Sequence, residues 1–451
     1  MPYFWDELGV YARGALYMHD NGIGLFPAAL PPELSRGHPL LFYCIPALGF
    51  NIFGDSVLAG HLTALVISLF FLWSVFYIVS KQYSRVTALS AVILIMVQPL
   101  FFAQSVMILP EILLACFMLW SLHCWTNKKY IGYALFSAAA MLVKETAIIL
   151  PVVIISAALL QVITTRKIKR IHPLQLLVIM PFIIYGVFLM IQHQQNGWYF
   201  FPLHENNLHL DPVRFKKFIA DFTQFVAIEQ GRVIMSITGG IILIILIAQK
   251  RIQWHPFSVA LIFLLIGGIL FNGLNFYMNR YMLFVMIGYV LLNAVTLNIM
   301  MAHFRPAFIL FPLLIAAGAY TMNGHTLLYK HPVKANIEER FDYDENMSYV
   351  RYLDLEQKAA AFVESHQQEG MRIYTNFPVG FTLIDPRLGF THLQVGKDFT
   401  YTDDLHDPKL TWAIIVVPGS YDYVLPDTSA IGIAARWEND IANITVYQPR
   451  F

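Results

Sequence analysis

The chain has 451 residues, 57% of them hydrophobic and 13% charged, with a net charge of +1 and a mean hydropathy of +0.57. A soluble domain carries roughly 25% charged residues, so this composition excludes an ordinary soluble protein and points to a chain that crosses a membrane many times. The near-neutral balance gives no electrostatic reason to expect nucleic acid as a partner.

A membrane-spanning helix needs about 20 apolar residues, fewer where helices are short or broken. Apolar runs lie at 57–79, 86–107, 110–125, 131–143, 146–163, 174–192, 233–249, 257–274, 281–299 and 306–321, so about ten spans are expected. Every second connector is basic: Lys81 and Arg85, Lys128 and Lys129, the group Arg166, Lys167, Lys169 and Arg170, Lys250 and Arg251, then Arg305. Positive charge marks the cytoplasmic side. Residues 1–55, the loop 193–232 and the tail 323–451 are therefore expected outside. An outside start with no span before it means either that the amino terminus crosses unaided or that the numbering begins after a first helix, the second being the favoured expectation. Trp198, Tyr199, Phe200 and Phe201 suggest that part of the 193–232 loop lies flat on the bilayer.

After Asn323 charge rises and long apolar runs stop. Residues 353–369 have helical spacing, with Leu355, Ala359 and Phe362 on one face. Residues 372–375, 412–417 and 444–447 read as strands. The expected architecture is mostly α: a transmembrane domain over 1–322, with its first outer loop at 1–55, followed by a small extracytoplasmic α/β domain over 323–451. Cys44, Cys116 and Cys124 sit in or beside apolar runs without metal-ligand spacing and read as buried small hydrophobes.

The residues able to do chemistry gather on one side of this topology. Asp6 and Glu7 precede a helical pattern of Leu8, Tyr11, Ala12, Ala15 and Leu16. Read blandly, they are a helix cap with an acidic first turn. Read functionally, Asp6 is a shielded carboxylate able to take a proton from an attacking group. Glu111 follows Pro110 in ordinary helix-start order, yet falls on the same membrane face. Lys144 and Glu145 interrupt the apolar stretch 131–163. A charge pair is costly at the bilayer centre, so two short helices meeting at the outer face are expected; mutual pairing of the two charges is the bland alternative. Arg280 opens the ninth run on the outer side, where snorkelling competes with binding of an anion. Arg36 and His38 lie in the first loop, solvated by default. Acids at 6 and 111 with bases at 36, 38, 144 and 280 suit a substrate with a lipid tail and a phosphate head.

These pieces resemble the GT-C glycosyltransferases, polytopic enzymes using polyprenyl-phosphate sugar donors. Protein O-mannosyltransferases and lipid A aminoarabinose transferases are the nearer relatives. The resemblance rests on Trp5-Asp6-Glu7 with Tyr11 and Ala12, His38-Pro39-Leu40-Leu41 leading to Phe53-Gly54, Pro110-Glu111-Ile112-Leu113, Leu142-Val143-Lys144 and Asn279-Arg280-Tyr281. It covers about the first 165 residues, then rests on topology and the Arg280-Tyr281 element. It implies an inverting transfer outside the cell (inner) membrane, with Asp6 as base and Glu111 as the second acid. His38 and Lys144, then Arg36 and Arg280, contact the donor phosphate, with Glu7, Tyr11 and Tyr281 nearby. The implied partners are a polyprenyl-phosphate sugar, a lipid, glycan or protein acceptor, and the bilayer. No cofactor or metal ligand is assigned; metal use varies in the family, so a divalent ion stays open. Two departures from the family stand out: no span precedes the Asp-Glu loop, and one proline of the usual His-Pro-Pro-Leu is absent. The rival readings are a transporter or flippase of a lipid-linked sugar, expected to show buried charges along a path and inverted repeats, and a non-catalytic membrane scaffold.

Overall fold

The computed structural model describes residues 1–165, 172–202, 211–248, 255–274, 279–301, 312–313, 333–334, 341–368, 370–375, 379–395, 400–401, 409–418 and 431–449. The region 1–55 is mostly helical. A π-helical turn at Glu7–Tyr11 runs into α1 (Ala12–Asn21), followed by a short α2 (Pro32–Ser35) and α3 (Leu41–Phe53). Next come α4 (Val57–Gln82), α5 (Arg85–Met96), α6 (Pro99–Gln104), α7 (Glu111–Thr126), α8 (Tyr130–Val143), α9 (Ile149–Thr165) and α10 (Met180–Asn196). The membrane part continues with α11 (Pro212–Ala227), α12 (Arg232–Ala248), α13 (Pro256–Asn272) and α14 (Leu283–Met301).

Nine of the ten apolar runs fall on helices; residues 306–321 lie outside the described residues except for 312–313. By length and composition, Val57–Gln82, Pro173–Asn196 and Asn279–Ile299 are long and apolar enough to cross a bilayer among the described residues. The others are shorter, or are bent as a pair: α11 meets α12 at 84°. The run 86–107 is broken where Gln98 precedes Pro99, whose ring cannot continue a helix from α5. At the 84° bend, Gln230 and Gly231 both take positive φ. The buried Arg232 donates to the end carbonyls of α11, at 3.1 Å to Phe225 and 3.0 Å to Val226, and to the side chains of Gln98 at 2.8 Å and Gln230 at 2.9 Å. A cation there answers the partial negative charge of a helix C-terminus.

Helix α4 shows how the bundle meets lipid. Leu62, Val66, Leu69 and Trp73 are exposed along one side, while Ala59, Phe71, Val75 and Ile78 are buried on the other. Small residues permit close helix packing. A Cβ on Gly49 of α3 would lie 2.1 Å from Thr63 Oγ1 of α4, and one on Gly268 of α13 would lie 2.3 Å from Val285 Cγ2 of α14.

The tail holds two short strands, β1 (Val333–Lys334) and β2 (Phe341–Asp342), then α15 (Tyr349–Ser365). Strands β3 (Arg372–Thr375), β4 (Thr400–Tyr401), β5 (Trp412–Pro418), β6 (Ile431–Glu438) and β7 (Ala442–Pro449) form a sheet of order β4-β3-β5-β7-β6. β3 runs parallel to β4 and β5, and β7 antiparallel to β5 and β6. The expected strands at 372–375, 412–417 and 444–447 are present. The expected helix begins four residues earlier, at Tyr349, because Tyr349 and Tyr352 pack against the first loop. β6 had not been expected; its mixture of Gly432, Arg436 and Glu438 hides the alternation. β5 is apolar throughout because both faces are covered: Trp412, Ile414 and Val416 join the main core, Ala413 and Ile415 a smaller one.

The tail sits on residues 2–20. Tyr3 N–H donates to the Leu388 carbonyl at 3.3 Å. Phe4 packs against Tyr349 and Tyr352, each with ring centroids 5.6 Å apart, and Arg13 lies 4.1 Å over the Phe381 ring. Arg387 forks onto Asp20 at 2.9 and 3.0 Å, bonds Asp385 at 2.7 Å and reaches Asp55 at 3.4 Å. The Arg387 hydrogen bonds hold the Asp20 carboxyl below its ordinary value. Such a group stabilises the folded state above its unfolded pKa and stops doing so as pH falls through its lowered folded pKa. Arg387→Ala is therefore expected to cost about 1 kcal/mol of tail docking at pH 7, a screened surface value. Thermal unfolding in detergent should show that loss at pH 7 and a smaller one once the pH has fallen through the lowered pKa of Asp20.

Candidate active site

Asp6 owes its position to the residue before it. Trp5 adopts φ 46°, a left-handed conformation that a bulky residue rarely takes without support. Tyr352 of α15 supplies part of that support, edge-on at 6.3 Å. Asp6 makes no capping bond to the helix it precedes, so the cap reading does not describe it. Its carboxylate instead takes a charge-assisted bond from Arg280, whose guanidinium is 1% exposed. Glu7 faces different partners: it accepts the backbone N–H of Phe4 at 3.1 Å and of Ile108 at 2.7 Å, with His61 Nδ1 at 3.6 Å. It ties the first segment to the strand-like stretch before α7.

The π-helical turn at Glu7–Tyr11 widens the backbone where Tyr11 enters, a feature frequent at functional sites. Burial first, then the charge of Glu111, pushes the Tyr11 phenol well above its ordinary value. It is a hydrogen-bond donor at any physiological pH and not a base. Asp6 acts on it as well, which places Tyr11 between the two acids.

Lys144 occupies the break between α8 and the 3-10 turn Glu145–Ile148, with an extended backbone at φ −158° and ψ 138°. The expected pair of short helices is thus found, but the two charges do not pair with each other. An extended residue sends successive side chains to opposite sides. Lys144 Nζ donates to Glu111 Oε1 at 2.7 Å, both side chains buried. Glu145 Oε2 lies 3.1 Å from Nδ1 of His38. Glu111 Oε2 has no hydrogen-bond partner among the described residues.

Tyr281 joins the two acid–base pairs. Lys144 Nζ lies 3.8 Å from its ring centroid and the Arg280 guanidinium 5.1 Å from it, both cation–π contacts. Asp6, Glu111, Lys144, Arg280, Tyr11 and Tyr281 thus form one cluster, and His38 borders it through Tyr11, their rings stacked at 6.5 Å. Arg36 stands two residues before His38, half-buried, at the left-handed end of α2 with φ 47°. Among the described residues, no group of three or more His, Cys, Asp or Glu side chains is placed to hold a metal ion. The role of Glu145 toward His38 was not legible in the sequence, where its neighbour Lys144 was the obvious partner.

A helical membrane protein with paired charges gathered at the broken ends of its helices is the class defined so far. Residues 37–197 match the dolichyl-phosphate-mannose-protein mannosyltransferase family. That segment carries His38, Glu111, Lys144 and Glu145. No curated protein matches the chain in sequence. Among solved structures, ArnT from Cupriavidus metallidurans in the apo state superposes with a TM-score of 0.62 at 13% identity, covering 99% of this chain and 94% of that one. The same protein bound to undecaprenyl phosphate gives 0.61 at 12% identity over the same shares. The family match over residues 37–197 and the shared ArnT-like fold agree with the resemblance to GT-C glycosyltransferases read from the sequence.

The buried Lys144–Glu111 pair gives a direct test of this geometry. Lys144→Met alone leaves a buried carboxylate uncompensated and is expected to cost about 3–5 kcal/mol. Lys144→Met with Glu111→Gln should recover most of that stability in thermal unfolding in detergent, because no buried charge is then left alone.

Proposed function

We propose that the chain transfers a sugar from a polyprenyl-phosphate donor to an acceptor, with inversion, at the extracytoplasmic face of a cell (inner) membrane. In this reading residues 1–322, crossing the bilayer about ten times, form the catalytic domain, and residues 323–451 form an extracytoplasmic domain above it. The observation that carries the reading is the pairing of Asp6 with Arg280 beside that of Glu111 with Lys144, with Tyr281 between the two cations. The ArnT structure bound to undecaprenyl phosphate supports a lipid phosphate as the anion.

The chemistry follows from exchange of partners. A phosphate brings more negative charge than a carboxylate and competes for Arg280 and Lys144. As Arg280 turns to the phosphate, Asp6 is released as a base. The acceptor hydroxyl or amine gives its proton to Asp6 while its lone pair attacks the anomeric carbon. The bond from that carbon to the phosphate oxygen breaks, and polyprenyl phosphate leaves with the electron pair. Arg280, Lys144 and His38 stabilise the charge as it develops there. Glu111 holds Lys144 in place. A single in-line displacement inverts the anomeric centre.

Purified protein in detergent, given a panel of polyprenyl-phosphate sugars and a crude membrane extract as acceptor, should release free polyprenyl phosphate from one donor. Asp6→Asn is expected to lower that release by about 10²–10⁴-fold, the usual contribution of a general base, with the chain still folded. Turnover by the Asn variant at the wild-type rate would sink the assignment.

A further inference from the structure

One carboxylate of the site has no task in the chemistry above. Lys144 is already neutralised by Glu111 at 2.7 Å, yet Glu145 directs a second acid, a third exposed, at a histidine 107 residues earlier in the chain. A carboxylate can only accept, so at 3.1 Å the proton of this contact sits on His38 Nδ1. The tautomer is then fixed, and Nε2 is the nitrogen through which the ring gains or loses its other proton. Stacking on Tyr11 at 6.5 Å and 28° holds the ring plane. A ring oriented by a carboxylate on one nitrogen is a recurring way to hold a histidine against an anion or a metal.

The geometry points to Glu145 as the positioning residue that fixes the plane of the His38 ring and turns its Nε2 toward the lipid phosphate. This inference rests on the reading of the cluster as a site for a lipid phosphate. Among the described residues, the other ionisable groups around the dyad include Tyr11 from the first turn, Arg36 and Tyr43 from α2 and α3, Lys144 from the helix break and Tyr185 from α10. Asp6 and Glu111 stand behind Tyr11. Of these groups, Glu145 is the carboxylate within hydrogen-bond reach of the His38 ring.

The test is binding of undecaprenyl phosphate to the full chain in detergent. Glu145→Ala removes the partner of Nδ1 and is expected to weaken binding on the order of tenfold, the usual cost of losing such a partner. Glu145→Gln keeps an acceptor at Nδ1 and should recover most of that loss. In a His38→Ala background, Glu145→Ala should cost nothing further, because the ring it positions is gone. A Glu145→Ala variant that binds like wild type, or one whose loss is the same in the His38→Ala background, overturns the inference while leaving the proposed function standing. A wild-type chain that binds no undecaprenyl phosphate overturns both.

Discussion

A cation buried at the end of an apolar helix must be neutralised on the spot, and the Lys144–Glu111 pair is where this chain meets that requirement. The extended backbone at Lys144 separates it from the acid next to it. That geometry sends Lys144 to α7 and leaves Glu145 for the first segment of the chain. Three stretches far apart in sequence are thereby drawn to one place, with α7 and the 144–145 break at its centre. Removing this constraint would leave the cluster with an excess of buried charge that no local rearrangement can answer.

The cluster is assembled from groups that satisfy each other and are for that reason held ready. Asp6 against the buried Arg280 keeps its carboxylate partly exposed, and Glu145 and His38 are partly exposed on both sides, whereas Lys144 and Glu111 are sealed in the interior. The buried pair sets the frame and the more accessible pairs border it. Tyr281, touching both cations through its ring face, holds them at one place without adding a charge. Such preorganisation lets charge develop during a reaction with little movement of the protein around it.

Much of this was legible from residue patterns, for physical reasons. Apolar runs report helices because lipid-facing surface and buried core are both apolar, so nine of ten runs fell on helices. The convergence of Asp6, Glu111, Lys144 and Arg280 could be inferred because membrane topology sorts charges by side. What the pattern could not convey was partner choice. Lys144 and Glu145 are adjacent in sequence, and only the extended conformation at the break parts them. Glu7 looked equivalent to Asp6, yet a backbone turn beginning at a left-handed Trp5 gives it the amide of Ile108. Strand β6 was hidden because its polar and small residues lack a clean alternation, and the 86–107 run concealed a break at Pro99.

The docking of the tail onto Tyr3, Phe4 and Trp5 has a consequence for how the molecule comes into being. The segment carrying Asp6 is made long before the residues that clasp it, Tyr349, Tyr352 and Arg387. Contacts of such long sequence separation form late in folding. That segment must therefore wait, without Tyr352 against Trp5, until residues 349–387 have been made. A chain released early would carry every residue of the cluster and still lack the clamp that aims Asp6, so synthesis itself sets the moment at which the site is finished.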